Sequence, residues 1–343
     1  MKVLLNSLYV TLPDARLSLN SGNVVVTDQD KKVLELPLLN LKDIICFNYK
    51  GVSPFLMAAC AEKDIGLTFI SPSGRFLARI QGRTRGNVLL RKKQYTISED
   101  PSEKYKLARN FIIGKVANAR KVINRAIRDH ALAVDVNVLQ RTSNGLKEIL
   151  FRLQKSASNV EVFALEGLAA KLYFGSFDHL ILRQKETFTF TSRNRRPPLD
   201  NINALLSFLY TLLRVETTSA LESVGLDPYV GFMHTDRPGR PSLALDLMEE
   251  LRPIFADRLA LTLVNLRQID GEGFEKKDSG AVLMTEETRK KVISAWQDRK
   301  KDTIMHPFLK EKISFGLLPY VQALLLARCL RGDLDEYPPY FWS

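Results

Sequence analysis

The spacing of hydrophobic residues changes along this chain, and that change constrains its fold more than any other feature. Over residues 1–85, apolar and polar residues alternate in short segments, as around Val24 and Val26. Alternation with a period of two is typical of half-buried strands. From Glu103 onward, apolar residues recur at helical spacing instead. The sequence therefore predicts an α+β fold with a β-rich N-terminal domain at residues 1–85 and an all-α C-terminal catalytic domain at residues 103–343.

The β-rich domain contains one predicted helix. Ser53 is suited to cap it and Pro54 to occupy its first position, so we expect a helix over residues 55–61. Predicted strands surround residues 17–19, 24–26, 34–36, 44–47, 66–70 and 76–80, and a turn is predicted at residues 71–74.

Basic residues crowd the join between the two domains: Arg75, Arg79, Arg83, Arg85, Arg91, Lys92 and Lys93. We interpret residues 86–102 as a basic linker. A solvated, flexible connection and a hinge that contacts phosphate are both compatible with this composition.

A long helix is predicted to begin at Asp100 and Pro101, with Phe111, Val116 and other apolar residues on its buried face. Its other face carries mainly positive charge: Lys104, Lys106, Arg109, Lys115, Arg120, Lys121, Arg125 and Arg128. A solvated face would explain these residues, but charge of one sign favours contact with a DNA backbone. Further helices are predicted at about 135–156, 160–174, 200–218, 242–268, 285–300 and 308–331, followed by an aromatic tail at residues 335–343 that docks on this protein or on a partner.

Charge and cysteine content restrict the class of protein. The net charge of +12 and the pI of about 9.5 favour a polyanionic partner, either nucleic acid or an anionic membrane surface. The three cysteines form no CxxC pair, so we expect buried, reduced thiols rather than a zinc site. The longest apolar segment, residues 315–330, contains Pro319 and Arg328 and is shorter than the roughly 20 residues of a membrane span. We expect a soluble, cytoplasmic protein.

One histidine and two carboxylates within residues 231–253 form a candidate metal site. His234 lies in a predicted loop, and Asp246 and Glu249 lie three residues apart on the next helix, where they share a face. One imidazole and two carboxylates suit a hard or borderline divalent cation. We expect Glu250 and Arg252 to be ordinary surface residues.

Glu166 is a further candidate ligand, because small and apolar residues surround it in the segment ALEGLAA. A buried carboxylate needs a cation, a hydrogen bond or a raised pKa. The sequence leaves open whether Glu166 binds a metal or pairs with an arginine or lysine.

Arginines in a loop can bind phosphate in a bidentate manner. The candidate DNA-binding residues are Arg193, Arg195, Arg196, Lys121 and Arg237. Asn203, near the start of the following helix, is a candidate for orienting a metal ligand or a phosphate oxygen, and its alternative role is capping or packing. No Walker A, GxSxG or HExxH motif occurs in the sequence.

Three segments together resemble the CRISPR-associated adaptation integrases, the Cas-one family. They are ALEG around Glu166, NALLSFLY at residues 203–210 and GFMHTDRPGRPSLALDLMEELRP at residues 231–253. Their order and spacing match that family, as does the domain plan over essentially the full chain. The tail GDLDEYPPYFWS and the segment SRNRRPPLDNINALLSF resemble its type I-C branch.

The resemblance implies a metal site made of Glu166, His234 and Glu249, with Asp246 as an adjacent acidic position and Mg²⁺ or Mn²⁺ as the ion. It implies a homodimer formed largely through the β-rich domains, and a complex of two such dimers around a dimer of a small Cas-two partner. The implied reaction is attack by the 3′-hydroxyl of a short DNA fragment on a phosphodiester at the edge of a CRISPR repeat, with nuclease activity as a companion.

The sequence therefore supports a metal-dependent DNA integrase and endonuclease. The alternative is a non-catalytic, basic scaffold that binds DNA. A small-molecule metallohydrolase is disfavoured because such an enzyme gains nothing from the high positive charge. The complete set of acid, histidine and acid favours the integrase.

Overall fold

The computed structural model describes residues 7–12, 14–47, 50–71, 76–80, 82 and 87–342, and it divides into two units. The first unit comprises Met1–Gly86 and Gln297–Lys301, and the second comprises Asn87–Trp296 and Asp302–Ser343. The first unit is rich in strands and the second is mainly helical, which confirms the α+β fold class. Most of the predicted turn at residues 71–74 lies outside the described residues, as do Arg75, Arg83 and Arg85.

Two sheets build the described part of the first unit. Their strands are β1 (Ser7–Val10), β2 (Arg16–Asn20), β3 (Asn23–Asp28), β4 (Lys31–Pro37), β5 (Asp43–Cys46), β6 (Gly66–Ile70) and β7 (Phe76–Ile80). One sheet has the order β1-β5-β6-β7, in which only the β6–β7 pair is antiparallel. The other is an antiparallel sheet of β2, β3 and β4. Strand β1 was not predicted from the sequence.

Helix α1 (Pro54–Glu62) begins where the sequence predicts it. The Ser53 hydroxyl accepts a hydrogen bond from the Leu56 amide at 3.3 Å, which satisfies one of the unpaired donors of the first turn. The side chains of Leu56 and Cys60 lie in the hydrophobic core with apolar residues of both sheets. The helix therefore contributes one buried face to the core of the first unit.

The second unit is built around two long helices. Its helices are α2 (Val88–Glu99), α3 (Pro101–Asp129), α4 (Val136–Lys155), α5 (Asn159–Gly175), α6 (Asn201–Ser223), α7 (Ser242–Met248), α8 (Arg258–Asn265), α9 (Glu286–Lys301) and α10 (Leu318–Arg331), of which α9 ends in the residues grouped with the first unit. Helix α3 packs against α4 and α5, and α6 packs against α7 and α10. Helix α6 is buried on most of its circumference, as expected of a central helix.

The residues interpreted as a linker contain helix α2, which is fastened within the second unit. The buried Gln94 donates to the carbonyls of Asp227 (2.8 Å) and Val230 (2.9 Å), and it accepts from the Asp227 amide. Hydrogen bonds from a side chain to a distant backbone produce no periodic pattern in the sequence. The interpretation of residues 86–102 as a linker therefore depended on their basic composition alone.

Two predicted helices differ in the structure: one is divided and the other is shorter. The helix predicted at 242–268 is divided into α7, a π-helical turn at Pro253–Asp257 and α8, because Pro253 has no amide hydrogen to continue an α-helix. The helix predicted at 308–331 begins only at Leu318, since Pro319 fits the first turn and not the interior.

The C-terminal domain was predicted to be entirely helical, but it also contains strands. It contains two short hairpins, β8 (Phe274–Lys276) with β9 (Val282–Met284) and β10 (Thr303–Met305) with β11 (Lys312–Ser314). Each strand has three residues, which is too short to produce a recognisable alternation.

The C-terminal tail docks on its own chain, against α3. Asn110 donates to the carbonyl of Tyr337, and Asn118 donates to the carbonyl of Tyr340 and accepts from the Trp342 amide. A Cβ atom added at Gly114 would lie 2.8 Å from the Cβ of Glu250 and 3.1 Å from that of Pro339. Glycine at this position therefore allows the close approach of the tail.

No helix in the described part of the chain is long and apolar enough to cross a membrane. Cys46 and Cys60 are buried free thiols, as expected, whereas Cys329 is only partly buried.

Alanine substitutions at two helical glycines should have opposite effects on the free energy of unfolding. Gly167→Ala, in α5, meets no atom within 4 Å, so better helix propensity should raise stability by about 0.5–1 kcal/mol. Gly114→Ala gains the same propensity but clashes with Glu250, so we expect a net loss of about 1–3 kcal/mol. Urea denaturation measures both values, and equal stabilisation of the two variants would contradict the close approach at α3.

Candidate active site

The buried carboxylate of Asp246, on α7, organises the loop that carries His234. Its Oδ2 accepts hydrogen bonds from the amides of Phe232 (2.7 Å) and Met233 (2.9 Å). Its Oδ1 accepts from the His234 amide (2.9 Å) and lies 2.6 Å from Nδ1 of the same residue. Because this carboxylate is an acceptor, the bond favours the tautomer with hydrogen on Nδ1, leaving the Nε2 lone pair available as a metal ligand.

Glu249 follows the last residue of α7 and is only 3% exposed. Its Oε1 lies 2.8 Å from an Arg252 guanidinium nitrogen, and its Oε2 lies 2.8 Å from the Lys115 ammonium. Burial alone would raise the pKa of Glu249, but Arg252 and Lys115, with a smaller contribution from His234, lower it to about 2. Glu249 is therefore ionised throughout the neutral range.

Glu166 lies in the middle of α5 and pairs with Lys115 of α3. The ammonium of Lys115 thus contacts one carboxylate oxygen of Glu166 and one of Glu249, which come from different elements of the fold. Of the two roles left open for Glu166, pairing with a lysine is present in this structure.

These residues have the donor chemistry of a divalent-metal site. Carboxylate oxygens from Glu166 and Glu249 converge on one position for a cation, and His234 is near enough to Glu249 to lower its pKa. Two carboxylates and an imidazole are suitable ligands for Mn²⁺, and they also accept Mg²⁺. Within the described ranges, however, no group of three or more His, Cys, Asp or Glu residues lies close enough together to hold a metal ion, and the Lys115 ammonium contacts both carboxylates.

Asp246 and Glu249 have different partners despite their spacing of three residues. Asp246 is committed to the His234 loop, whereas Glu249 is directed to Lys115 and Arg252. The expectation that both carboxylates point at one position is therefore too simple. The geometry gives Asp246 the role of holding His234 and leaves Glu249 with Glu166.

Asn203 and Arg193 fasten the loop before α6 to that helix. Asn203 is fully buried, donates to the Ser192 carbonyl and to Asp200, and accepts from Arg193 at 2.6 Å. The Arg193 guanidinium also donates to Ser207 and lies over the Tyr210 ring. Asn203 therefore has the packing role that was the alternative in the sequence analysis. Arg193 has a similar role, because its guanidinium is directed toward the protein.

The other predicted DNA-binding residues are exposed. Arg195, Arg196, Arg237 and Lys121 all have side chains open to solvent. Burial, together with the nearby Arg237 and Arg196, lowers the pKa of the Arg240 guanidinium. The pKa of Arg214 is lowered by burial and by Arg196. A group of positive charges therefore adjoins the His234 loop, and the sequence analysis missed Arg214 and Arg240 as members of it.

Glu250 and Arg252 are not surface residues, contrary to expectation. Glu250 is fully buried and accepts hydrogen bonds from Tyr337, Gln322 and the Tyr340 amide. Burial raises its pKa to about 7, against the opposing effect of those hydrogen bonds. The Arg252 side chain is mostly buried beside Glu249 and lies over the Tyr210 ring. Segments distant in sequence cover both side chains, so the polarity of the neighbouring residues gave no indication of their burial.

Lys115 was also assigned to the wrong environment, on the basic outer face of α3. It lies four residues after the buried Phe111 and four before the buried Ala119, so it belongs to the buried face of the helix. This spacing was the available signal that Lys115 needed an internal acidic partner.

Comparisons with known proteins identify the family and the fold. A sequence profile of the family described as CRISPR associated protein Cas1 matches residues 8–298. A relative from Rhodospirillum rubrum, "CRISPR-associated endonuclease Cas1 2", is 49% identical over 347 aligned positions, covering 100% of both chains.

Two solved structures share the fold. A casposase bound to an integration product has a TM-score of 0.84 and 19% identity, with 98% of this chain and 94% of that chain covered. A Cas6-RT-Cas1–Cas2 complex has a TM-score of 0.81 and 22% identity, covering 100% of this chain and 36% of that chain.

Removing the Asp246 carboxylate should greatly reduce stability. Asp246→Ala leaves the buried amides of Phe232 and Met233 without their acceptor and frees the His234 loop, so we expect a loss of roughly 3–5 kcal/mol in the free energy of unfolding. Asp236→Ala is the matched control, because exposed Asp236 accepts one 3.2 Å bond from Gly231, and it should cost less than about 1 kcal/mol. Similar losses in calorimetry or urea denaturation would show that Asp246 does not hold the loop.

Proposed function

The chain belongs to the Cas1 family of CRISPR-associated proteins, and on that basis we propose that it is a divalent-metal-dependent DNA endonuclease and integrase. In this proposal it joins the 3′-hydroxyls of short DNA fragments into the repeat array by transesterification, which is the acquisition of new spacers in CRISPR adaptation.

The observation that carries the proposal is the convergence of Glu166 and Glu249 on one cation position beside the His234 loop. We assign Glu166, His234 and Glu249 as metal ligands and Asp246 as the residue that fixes the His234 ring. Bound Mg²⁺ or Mn²⁺ would lower the pKa of the attacking hydroxyl and neutralise charge on the phosphate.

The protein's own residues position the DNA. Arg196, Arg237 and Arg240 offer guanidinium groups for phosphates next to the His234 loop, with Arg195 and Lys121 as further exposed cations. Arg252, fixed by Glu249 and by the Tyr210 ring, adds positive charge close to the reacting phosphate. These contacts would align the two DNA segments for in-line displacement.

The proposed reaction balances without a nucleotide triphosphate. The attacking 3′-oxygen forms a new bond to phosphorus as the repeat's own 3′-oxygen leaves, and the proton of the attacking hydroxyl ends on the leaving oxygen or in solvent. One phosphodiester replaces another. Water in place of the hydroxyl would give cleavage, which accounts for the endonuclease activity in the proposal and in the name of the Rhodospirillum rubrum relative.

The partners in this proposal are the fragment duplex, the CRISPR repeat, a second copy of the chain and a Cas2 dimer. A Cas1–Cas2 assembly among the proteins of the same fold supports the Cas2 partner. Dimerisation through the β-rich unit, membership of the type I-C branch and a cytoplasmic location stay predictions from the sequence.

A specific observation favours a second function, a non-catalytic scaffold that binds DNA. Lys115 already pairs with both Glu166 and Glu249, as a lysine would in a site that had lost its metal. In the scaffold, the exposed arginines and Lys121 would carry the function and the acidic residues would only stabilise the fold.

Strand transfer of a short 3′-hydroxyl duplex into a supercoiled plasmid that carries a repeat separates the two functions. The integrase proposal expects joining with Mn²⁺ or Mg²⁺, none with EDTA, and a loss of roughly a hundredfold or more in Glu166→Ala, His234→Ala and Glu249→Ala. Exposed Glu148, on the neighbouring α4, gives the control Glu148→Ala, which should join DNA like the wild type.

DNA affinity is measured in the same preparations, with and without the Cas2 partner. The integrase proposal expects the three site variants to keep most of their affinity for DNA. The scaffold instead expects no joining by any protein, with DNA binding abolished by Arg195→Glu or Lys121→Glu, and that result would refute the integrase.

A further inference from the structure

Lys115 has an environment unlike that of most basic residues on α3. Its side chain is 13% exposed, whereas that of Lys106 on the same helix is 47% exposed and pairs with Glu103 at 2.7 Å. The Lys115 ammonium lies between the carboxylates of Glu166, which is 22% exposed, and Glu249, which is 3% exposed. A partly buried lysine thus lies at the position that the proposed function gives to a metal ion.

The two oxygens of the Glu249 carboxylate have different partners. Oε2 is buried and lies 2.8 Å from the Lys115 ammonium. The other oxygen, Oε1, pairs with Arg252. Oε2 is therefore the oxygen that Glu249 presents to the cation position it shares with Glu166, and the ammonium holds that position.

We propose that Lys115 is a positioning residue that competes with the divalent metal for the Glu166 and Glu249 pair. This inference rests on the proposed function, because it takes the same carboxylates as metal ligands. The ammonium keeps two like charges from separate helices directed at one point, and the metal displaces it on binding. The site is thereby assembled before the ion arrives, at the cost of a lower affinity for that ion.

Charge balance gives the reason for displacement. The two carboxylates are neutralised by Lys115 and Arg252 together. A divalent cation added to this partly buried group would repel an ammonium a few ångströms away much more strongly than it would in water. The unbranched lysine stem has several rotatable bonds, so the ammonium can leave while α3 stays in place.

The two possible roles of Lys115 predict opposite changes in metal affinity when the lysine is removed. If Lys115 only supports the fold of the site, its removal should weaken metal binding. If it competes, Lys115→Met should bind Mn²⁺ roughly tenfold or more tightly, because the metal no longer displaces a charged hydrogen-bonded group. Lys115→Arg keeps a positive charge between the same two carboxylates and should not show the tighter binding of Lys115→Met.

The test is a calorimetric titration of the full-length protein with Mn²⁺ alone, with circular dichroism to check the fold of each variant. Lys106→Met is the matched control, since it removes an ion-paired but exposed lysine from the same helix, and its affinity should equal that of the wild type. His234→Ala identifies the site, because binding there should be lost.

The outcomes separate the inference from the proposed function. Binding that depends on His234 but is unchanged or weaker in Lys115→Met overturns the inference alone. The absence of any Mn²⁺ binding that depends on His234, in the wild type and in Lys115→Met, contradicts the proposed function and the inference with it.

A second measurement on the wild type remains valid if Lys115→Met fails to fold. Reductive methylation followed by peptide mass spectrometry reports the reactivity of each lysine. Mn²⁺ should accelerate modification of Lys115 severalfold and leave that of Lys106 unchanged. Equal rates at Lys115 with and without Mn²⁺ would overturn the competition.

Discussion

The packing of the second unit depends on the free-energy cost of burying carboxylates. Asp246, Glu249 and Glu250 are all buried within five positions of the chain. Each of them needs partners, and each draws them from a different part of the second unit. Asp246 binds the His234 loop, Glu249 binds Lys115 and Arg252, and Glu250 binds the C-terminal tail through Tyr337 and Tyr340. The segment at the end of α7 is thus the point at which the loop, the long helix α3 and the tail are joined.

This arrangement explains why the site needs the whole helical unit. Glu166 comes from α5, Lys115 from α3, and His234 from a loop that Asp246 shapes. Glu250 is next to Glu249 and is tied to the tail, which in turn is bonded to Asn110 and Asn118 of α3. The carboxylate and imidazole groups are consequently held by a network of buried polar contacts.

Local pattern was sufficient to predict most elements of the fold. The Ser53 and Pro54 signal located α1, and helical spacing located α3 to α6, because these signals depend on neighbouring residues. The burial of Lys115, Glu250 and Arg252 was missed because it depends on contacts with segments far away in sequence. The separate roles of Asp246 and Glu249 follow from the partners that each carboxylate meets, which a spacing of three residues does not specify.

Anomalous X-ray scattering from crystals of the wild-type protein grown with Mn²⁺ is the most direct test of the account. We expect one Mn²⁺ ion coordinated by Glu166, Glu249 and Nε2 of His234, with Asp246 still bonded to the His234 loop. An ion bound elsewhere in the second unit, or one coordinated by Asp246 in place of Glu249, would contradict the account.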